Sequence, residues 1–284
     1  MAKKKGRLDF IKMKAAHEQV AWVTAYDFPT AQFAEAAGID MILVGDSLGM
    51  CVLGHKGTIP VTMTDCISHC QAVRRGAPET FCIGDMPFGS YQITSAEAVA
   101  NAARFLKEAD MDAIKLEGGT RTAGALKAIA DAGILAMGHI GLTPQSSGPL
   151  GGFKAQGLDP DSARFVIEDA LAVQEAGAYA LLVEAVPPEL CSFIAKKLTI
   201  PVYSIGAGGP CDGQLLISSD MIGMFQSFTP KFVKVYAHVG QEITNAFKEY
   251  VSDVRTGVFP SDEYCYHIRK GTEEEYEKML KEYA

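Results

Sequence analysis

The sequence has no surplus of basic residues and no long apolar run. Its 284 residues include 26 Lys and Arg against 34 Asp and Glu, a formal net charge of −8, which disfavours a nucleic-acid-binding surface. No apolar run approaches the roughly 18 residues needed to span a bilayer. The basic N-terminus MAKKKGRLDFIKMK lacks the apolar core and cleavage site of an export signal. We therefore expect a cytoplasmic protein without nucleic-acid or membrane partners.

The cysteines also show no regular spacing. There are seven, an odd and scattered set that does not fit a disulfide framework. Cys66 and Cys70, with His69 between them, suggest a metal clip, but no second pair has zinc-site spacing. We interpret the two cysteines as packing residues on a helix face.

What the sequence does contain is an alternation of short apolar runs and longer helical stretches. Most of the runs are continuously apolar, as expected for parallel strands buried on both faces. With 48% apolar residues, a disordered chain is excluded. Eight runs are candidate strands: 21–27, 41–46, 80–87, 113–119, 134–141, 179–187, 201–209 and 231–236.

The helical stretches fall between these runs. The segment 94–97 predicts a capping box, and glycine or proline limits several of the others. The candidate helices cover 29–38, 62–75, 96–109, 122–132, 162–177, 189–198 and 238–255, with a short amphipathic helix near the N-terminus. Eight such repeats predict a (β/α)8 TIM barrel, and the absence of GxGxxG after the first strand disfavours a doubly wound open sheet. No linker divides the chain, so we interpret residues 1–284 as one barrel domain with a charged, helix-prone tail.

Two connections are unusually long for a compact domain. They cover 48–62 and 142–157, and loops of this length are usually functional or disordered. Both follow strands, so we expect them at the C-terminal mouth of the barrel, where active sites are built. A third segment, IGAGG at 205–209, fits either phosphate binding or tight backbone packing, and packing is favoured because no partner motif accompanies it.

Charged side chains interrupt the apolar strands at the ends that face this mouth, where burial normally requires a partner. Ion pairing or backbone capping explains any one of them alone. Two carboxylates about 4 Å apart repel by about 4 kcal/mol at an effective dielectric near 20, and one lysine does not neutralise four acids. A divalent cation such as Mg²⁺ would. His139 fits two interpretations, a substrate contact or a hydrogen-bonded histidine of the barrel rim. The charged residues are Asp46, Asp85, Lys115, Glu117, His139 and Glu184.

Several motifs in these same regions carry a resemblance that extends from about residue 24 to residue 260. They are TAYD (24–27), VGDSLGM (44–50), PVTMTD (60–65), AVRRGAP (72–78), GDMPFGSY (84–91), IKLEGG (114–119), GHIGLTPQS (138–146), GGFKAQG (151–157), IGAG (205–208), DGQ (212–214) and PKFVK (230–234). Together, and in this order along the chain, these motifs are similar to those of the ketopantoate hydroxymethyltransferase family. That family belongs to the phosphoenolpyruvate mutase/isocitrate lyase barrel superfamily.

The resemblance implies a reaction. The family uses Mg²⁺ to hold 2-oxoisovalerate (3-methyl-2-oxobutanoate) by its carboxylate and keto oxygens. A base removes the C3 proton, and the enolate attacks 5,10-methylenetetrahydrofolate to give ketopantoate for pantothenate and coenzyme A synthesis. Family members also form homo-oligomers, often decamers.

The same resemblance assigns roles by matching motif. Glu184 is the base. The metal ligands are Asp46, Asp85 and Glu117, the last either directly or through water. By this matching Ser47, Asp85 and Lys115 contact the oxo acid, and we add Asp46 and His139 as candidate contacts because of their place at the strand ends. No residue is assigned to the folate.

Three departures from the family pattern leave room for altered substrate preference or loop closure. Lys56-Gly57 replaces Asp-Ser, residues 263–266 (EYCY) replace Glu-His-Ser-aromatic, and Ser204 stands where glycine is usual.

Another C–C or C–P lyase or mutase reaction on a 2-oxo acid, without folate, is the alternative, although EGGTRTAG lacks the reactive cysteine of such lyases. A non-catalytic barrel is disfavoured because no proposed catalytic group is lost.

Overall fold

A computed structural model describes residues 4–284. The chain forms two compact units, one extending to Tyr236 and the other spanning Ala237–Ala284. The strands are β1 (Val20–Thr24), β2 (Met41–Val44), β3 (Phe81–Asp85), β4 (Ala113–Glu117), β5 (Ala136–Gly141), β6 (Ala180–Glu184), β7 (Val202–Ile205) and β8 (Gly213–Leu216). The helices of the first unit are α1 (Arg7–Ala15), α2 (Phe28–Ala36), α3 (Leu48–Cys51), α4 (Met63–Gly76), α5 (Ser95–Ala109), α6 (Ala123–Asp131), α7 (Pro160–Glu175), α8 (Pro188–Lys197) and α9 (Ser218–Met221).

The eight strands close into a parallel barrel. Each strand pairs with the next one along the chain, and β8 pairs with β1. The predicted (β/α)8 fold is therefore confirmed, and each of the first seven predicted strands overlaps one of the observed strands.

The predicted eighth strand is wrong. Residues 231–236 form no strand, and β8 lies earlier in the chain, at Gly213–Leu216. Its backbone pairs over four residues with β1, and a Cβ added at Gly213 would lie 2.3 Å from the Val20 carbonyl oxygen. A glycine is required for this close approach, so the strand begins with Gly-Gln and does not read as an apolar run.

Side chains alternate between the inside and the outside of the barrel along each strand. Inward residues such as Met41 and Leu43 belong to a cluster that fills the lower barrel, whereas Ile42 and Val44 pack against the surrounding helices. The predicted N-terminal helix is confirmed as α1, which buries Phe10 and Met13 in the inner cluster.

Helix starts follow the capping signals only in part. At α5 the Thr94 hydroxyl accepts the Glu97 backbone N–H, but the Glu97 carboxylate accepts from the Thr94 hydroxyl and not from its backbone N–H. The predicted box is therefore half formed. In contrast, Asp159 and Ser162 cap α7 reciprocally.

The second unit consists of α10 (Val239–Thr256), a 3-10 turn (Asp262–Tyr264) and α11 (Glu273–Lys281). The tail was predicted to be helix-prone, and α11 confirms this. Within residues 4–284 no helix is both long enough and apolar enough to cross a bilayer. The interpretation of residues 1–284 as one domain with a tail stays a prediction.

Candidate active site

The charged residues continue the inward-facing rows of the barrel strands. On β3 the row ends at Asp85, on β4 at Lys115 and Glu117, and on β6 at Glu184. Strand register places Asp85 beside Lys115 and Glu117 beside His139. The period of two that directs apolar side chains into the lower barrel therefore directs these groups into its mouth.

Asp46, Asp85 and Lys115 form the first part of the cluster. Asp46 follows β2 by two residues, and its backbone N–H donates to Asp85 Oδ2 at 2.9 Å. Lys115 Nζ lies 2.9 Å from Asp85 Oδ1. All three residues are buried, so the ion pair lies in a region of low dielectric where it is strong.

Glu117 lies beside the same lysine, and only one of its two carboxylate oxygens accepts a hydrogen bond. Its Oε2 accepts the Gln145 backbone N–H at 2.9 Å, while Oε1 lies 3.8 Å from Lys115 Nζ and 3.4 Å from His139 Nδ1. Within residues 4–284, Oε1 accepts no hydrogen bond.

The tautomer of His139 follows from its neighbours. Its Nδ1 lies 3.2 Å from the Lys115 ammonium, which has no acceptor, so Nδ1 accepts from Lys115. The remaining proton is therefore on Nε2, which lies 3.0 Å from Glu184 Oε2, although within residues 4–284 Nε2 has no acceptor in hydrogen-bond geometry. Burial and the charge of Lys115 lower the pKa of His139, so the ring is neutral at neutral pH.

Burial shifts the acids of the cluster upward. It raises the pKa of Asp46 well above the usual range, with Asp85 and Glu117 adding to the effect, and it raises the pKa of Glu117 to about 7. Burial alone would lower the pKa of Lys115, but the charges of Asp85, Glu117 and Asp46 outweigh it and raise that pKa. The lysine is therefore charged, and the acids around it exceed what it neutralises.

Glu184 ends β6 and is followed by a strained residue. Burial raises the pKa of this carboxyl, while the proximity of His139 opposes the shift. Ala185 has φ +47°, which is rare for a residue with a Cβ and is typical of functional sites. The Ala185 backbone N–H donates to the Ile205 carbonyl, which holds the strand end in this conformation.

A cavity of about 880 Å³ opens over these groups. It is lined by the six charged residues predicted from the strand ends and by Ser47. Both long connections contribute to its wall, including Met50 and Lys56 from one and Phe153 and Ala155 from the other. The expected position of both loops at the barrel mouth is confirmed.

Two residues that sequence reasoning missed connect the cluster. Gln145 donates through Nε2 to Asp46 Oδ2 at 2.9 Å and to the Met86 carbonyl at 3.0 Å. The Tyr91 hydroxyl donates to Gln145 Oε1 at 2.6 Å and accepts the Glu117 backbone N–H at 3.1 Å. Both lie in quoted motifs, GHIGLTPQS and GDMPFGSY, so their polar side chains beside apolar strand ends were the available signal.

Other positions singled out in the sequence contribute to packing and turns. Cys66 and Cys70 are buried on α4, which confirms packing. A Cβ on Gly206, which has φ +67°, would lie 2.5 Å from Phe232, so the IGAGG turn is a tightly packed one. Ser204 Oγ accepts the Ala207 backbone N–H at 3.0 Å in the same turn.

In the part of the chain from residue 4 onward, no three His, Cys, Asp or Glu side chains already converge as a metal-binding group.

Comparisons with known proteins agree with the family resemblance of the sequence motifs. A family model described as ketopantoate hydroxymethyltransferase matches residues 5–262. A 3-methyl-2-oxobutanoate hydroxymethyltransferase from Alkaliphilus metalliredigens (strain QYMF) is 70% identical over 283 residues, covering 100% of both chains. A protein of the same name from Desulfotalea psychrophila (strain LSv54 / DSM 12343) is 49% identical over 91% of this chain and 93% of its own.

Solved structures resemble the chain at low identity. A phosphonopyruvate hydrolase complex with oxalate and Mg²⁺ has a TM-score of 0.61 at 12% identity, over 98% of this chain and 97% of that one. A phosphoenolpyruvate phosphomutase from Streptomyces platensis subsp. rosaceus has a TM-score of 0.61 at 14% identity, over 98% of both chains. These likenesses show the fold alone.

Proposed function

The chain belongs to the ketopantoate hydroxymethyltransferase family, and from this premise we propose that it transfers a hydroxymethyl group from 5,10-methylenetetrahydrofolate to 3-methyl-2-oxobutanoate. The product is ketopantoate, a precursor of pantothenate. The observation that carries the proposal is the 70% identity with a relative of that activity over the full length of both chains. The lysine and carboxylates that line the cavity are the groups that this chemistry needs.

A Mg²⁺ ion is part of the proposal, and the donor set fits it. At the ends of the strands that face the cavity, four carboxylates accompany the single ammonium of Lys115, and Glu117 Oε1 is buried without a hydrogen-bond donor among residues 4–284. Hard divalent cations take carboxylate oxygens and retain some water, so the three acids do not need to be preassembled as a closed ligand set. Asp46 and Asp85 would hold the ion, with Glu117 completing the shell. When bound, the ion polarises the keto oxygen of the substrate as a Lewis acid.

Lys115 orients the oxo acid. Its ammonium is held in place by Asp85 and donates to His139 Nδ1, so it presents a fixed positive charge to the cavity. An anionic substrate carboxylate gains from a preorganised charge of this kind because no reorganisation is needed at the moment of reaction. Asp46, Asp85 and Ser47 line the same cavity, and with His139 they complete the proposed contacts.

Glu184 is the proposed base. Its Oε2 takes the proton from C3 of the oxo acid. A raised pKa suits this role, since a general base works best when its pKa is near the operating pH. His139 Nε2 lies 3.0 Å from Oε2, so the ring restricts where the carboxylate can turn. The two long loops form part of the cavity wall and reduce the access of water to the enolate.

The test measures exchange of the C3 proton of 3-methyl-2-oxobutanoate with deuterated solvent, together with ketopantoate formation. The purified protein with Mg²⁺ is expected to form ketopantoate only when 5,10-methylenetetrahydrofolate is present. Glu184→Gln is expected to lower exchange by about 10²–10⁴-fold. Glu189→Gln, which changes an exposed glutamate on α8, is the matched control.

Two results would contradict the proposal. Exchange at the native rate in Glu184→Gln removes Glu184 as the base. Cleavage of an oxo acid without folate, in place of ketopantoate formation, favours the lyase or mutase alternative. A homo-oligomeric assembly, decameric in the family, is also proposed, and the molar mass from light scattering tests it.

A further inference from the structure

The segment after β8 brings a carboxylate to the cavity that the chemistry above does not use. Asp220 lies in α9, where the chain leaves the C-terminal end of β8, and it lines the cavity. It is only 5% exposed. Across residues 4–284 its carboxylate makes no hydrogen bond and no ion pair. A buried acid without a partner is costly, and one that faces a cavity indicates a ligand with hydrogen-bond donors.

The charge state of Asp220 suits such a ligand. Burial raises its pKa to about 6, so the carboxylate is mainly ionised at pH 7. Both of its oxygens are then acceptors. The matching group is a pair of adjacent N–H donors.

The wall around Asp220 is apolar and aromatic. Phe225, Phe228 and Phe232 line the cavity in the segment that follows α9. Phe225 and Phe228 pack edge to face with ring centroids 5.6 Å apart and planes at 83°, and Phe228 is 53% exposed. Aromatic rings of this kind stack well with a flat ring system.

This wall lies across the mouth from the part of the catalytic cluster that β4 carries. In a closed barrel with strands in chain order, β8 lies opposite β4, so Asp220 lies across the mouth from Lys115 and Glu117. The cavity of about 880 Å³ is in the upper part of the range that holds drug-sized ligands. A five-carbon oxo acid fills little of it, and the space that remains adjoins the Asp220 wall.

Resting on the proposed function, we propose that Asp220 binds the pterin ring of the folate co-substrate. Its two oxygens accept hydrogen bonds from the 2-amino group and from N3–H, which are adjacent donors on one edge of the ring. The aromatic wall contacts the ring faces. A charge-assisted, two-point contact fixes the plane and direction of the ring, which points the methylene carrier toward the oxo acid on the opposite side of the mouth.

The test compares Asp220→Asn with Asp161→Asn, an exposed aspartate on α7. Asparagine keeps the shape but offers one acceptor and one donor, so it mismatches the two ring donors. We expect the KM for 5,10-methylenetetrahydrofolate to rise about tenfold to hundredfold in Asp220→Asn, and the KM for the oxo acid to rise much less. Asp161→Asn is expected to match the unmodified protein.

A ligand analogue gives a second readout that a purely structural role would not change. Binding of tetrahydrofolate and of its 2-desamino analogue is measured by calorimetry. The unmodified protein is expected to bind the analogue at least tenfold more weakly, and Asp220→Asn is expected to lose most of this discrimination. The measurement on the unmodified protein does not depend on the variant being folded.

The outcomes separate this inference from the function on which it rests. If the unmodified protein forms ketopantoate but binds both pteridines equally, or if Asp220→Asn keeps the native folate KM, only the assignment of Asp220 is overturned. The same holds if the two KM values rise equally. If the unmodified protein forms no ketopantoate and binds no tetrahydrofolate, the proposed function fails and the assignment fails with it.

Discussion

Lys115 is the cation at the centre of the acidic cluster, and replacing it with methionine is expected to destabilise the protein strongly. Methionine keeps the length of the side chain and removes only the charge. Lys115 is 2% exposed. The variant therefore leaves Asp85 and Glu117 in the barrel without their buried counter-charge.

The magnitude follows from the two ion-pair distances. At an effective dielectric constant of about 20, the attraction is about 6 kcal/mol for the 2.9 Å pair with Asp85 and about 4 kcal/mol for the 3.8 Å pair with Glu117. The cost of burying the charges offsets much of this sum. Removing one partner of a buried pair typically costs about 3–5 kcal/mol, and we expect a loss in that range in the free energy of unfolding.

The assay is urea denaturation, with Lys127→Met as the matched control. Lys127 lies on the surface, 62% exposed, and its Nζ is 2.9 Å from Asp131. Exposed pairs of this spacing contribute about 0.3–0.5 kcal/mol. The two lysines thus make pairs of equal length and differ in burial. Equal losses in the two variants would refute the argument that the buried acids depend on Lys115.

The pH dependence of the stability loss in Lys115→Met gives an independent check of this argument. Burial already raises the pKa of Glu117 to about 7 against the opposing charge of Lys115, and removing that charge raises it further. A carboxyl whose pKa is higher in the folded state stabilises the protein at low pH, and this contribution is lost as pH rises through the folded pKa. The deficit of Lys115→Met is therefore expected to be larger at pH 8 than at pH 5, and a deficit that grows on acidification contradicts it.

Three further outcomes are expected. Tyr91→Phe removes the hydroxyl that bonds Gln145 and the Glu117 backbone; it should lower the unfolding free energy by about 1–3 kcal/mol, whereas Tyr283→Phe, on an exposed ring, should have no measurable effect. The rate of C3 proton exchange should rise with pH through an apparent pKa above that of an ordinary glutamate, because burial raises the pKa of Glu184; a midpoint at the ordinary value would contradict this. Dialysis against EDTA should abolish ketopantoate formation, and Mg²⁺ should restore it and raise the thermal midpoint by mass action; full activity after dialysis would remove the proposed metal.

Sequence patterns predicted seven strands because each is an apolar run that ends near a polar or glycine residue. The pattern failed at the eighth, where close contact with Val20 requires Gly213. Apolar content instead favours the segment 231–236, whose Phe232 packs over Gly206. Hydrophobicity alone does not distinguish a strand from a segment that packs over a turn.

The charged site was predicted more completely than its supports. Asp85, Lys115, Glu117 and Glu184 are visible in the sequence because a charge within an apolar strand is conspicuous. Gln145 is a polar residue in a loop, and nothing in its local sequence indicates that its amide reaches Asp46.

The order of the elements, the inward direction of the strand side chains and the concentration of charge at the barrel mouth all follow from the amino-acid sequence. These properties depend on local periodicity and on the rule that parallel strands share a direction. Only the tertiary structure decided which groups meet: Gln145 with Asp46, 99 residues apart, and Asp220 across the mouth from Lys115. Such pairings depend on barrel closure, which brings the ends of distant strands together and which no local pattern records.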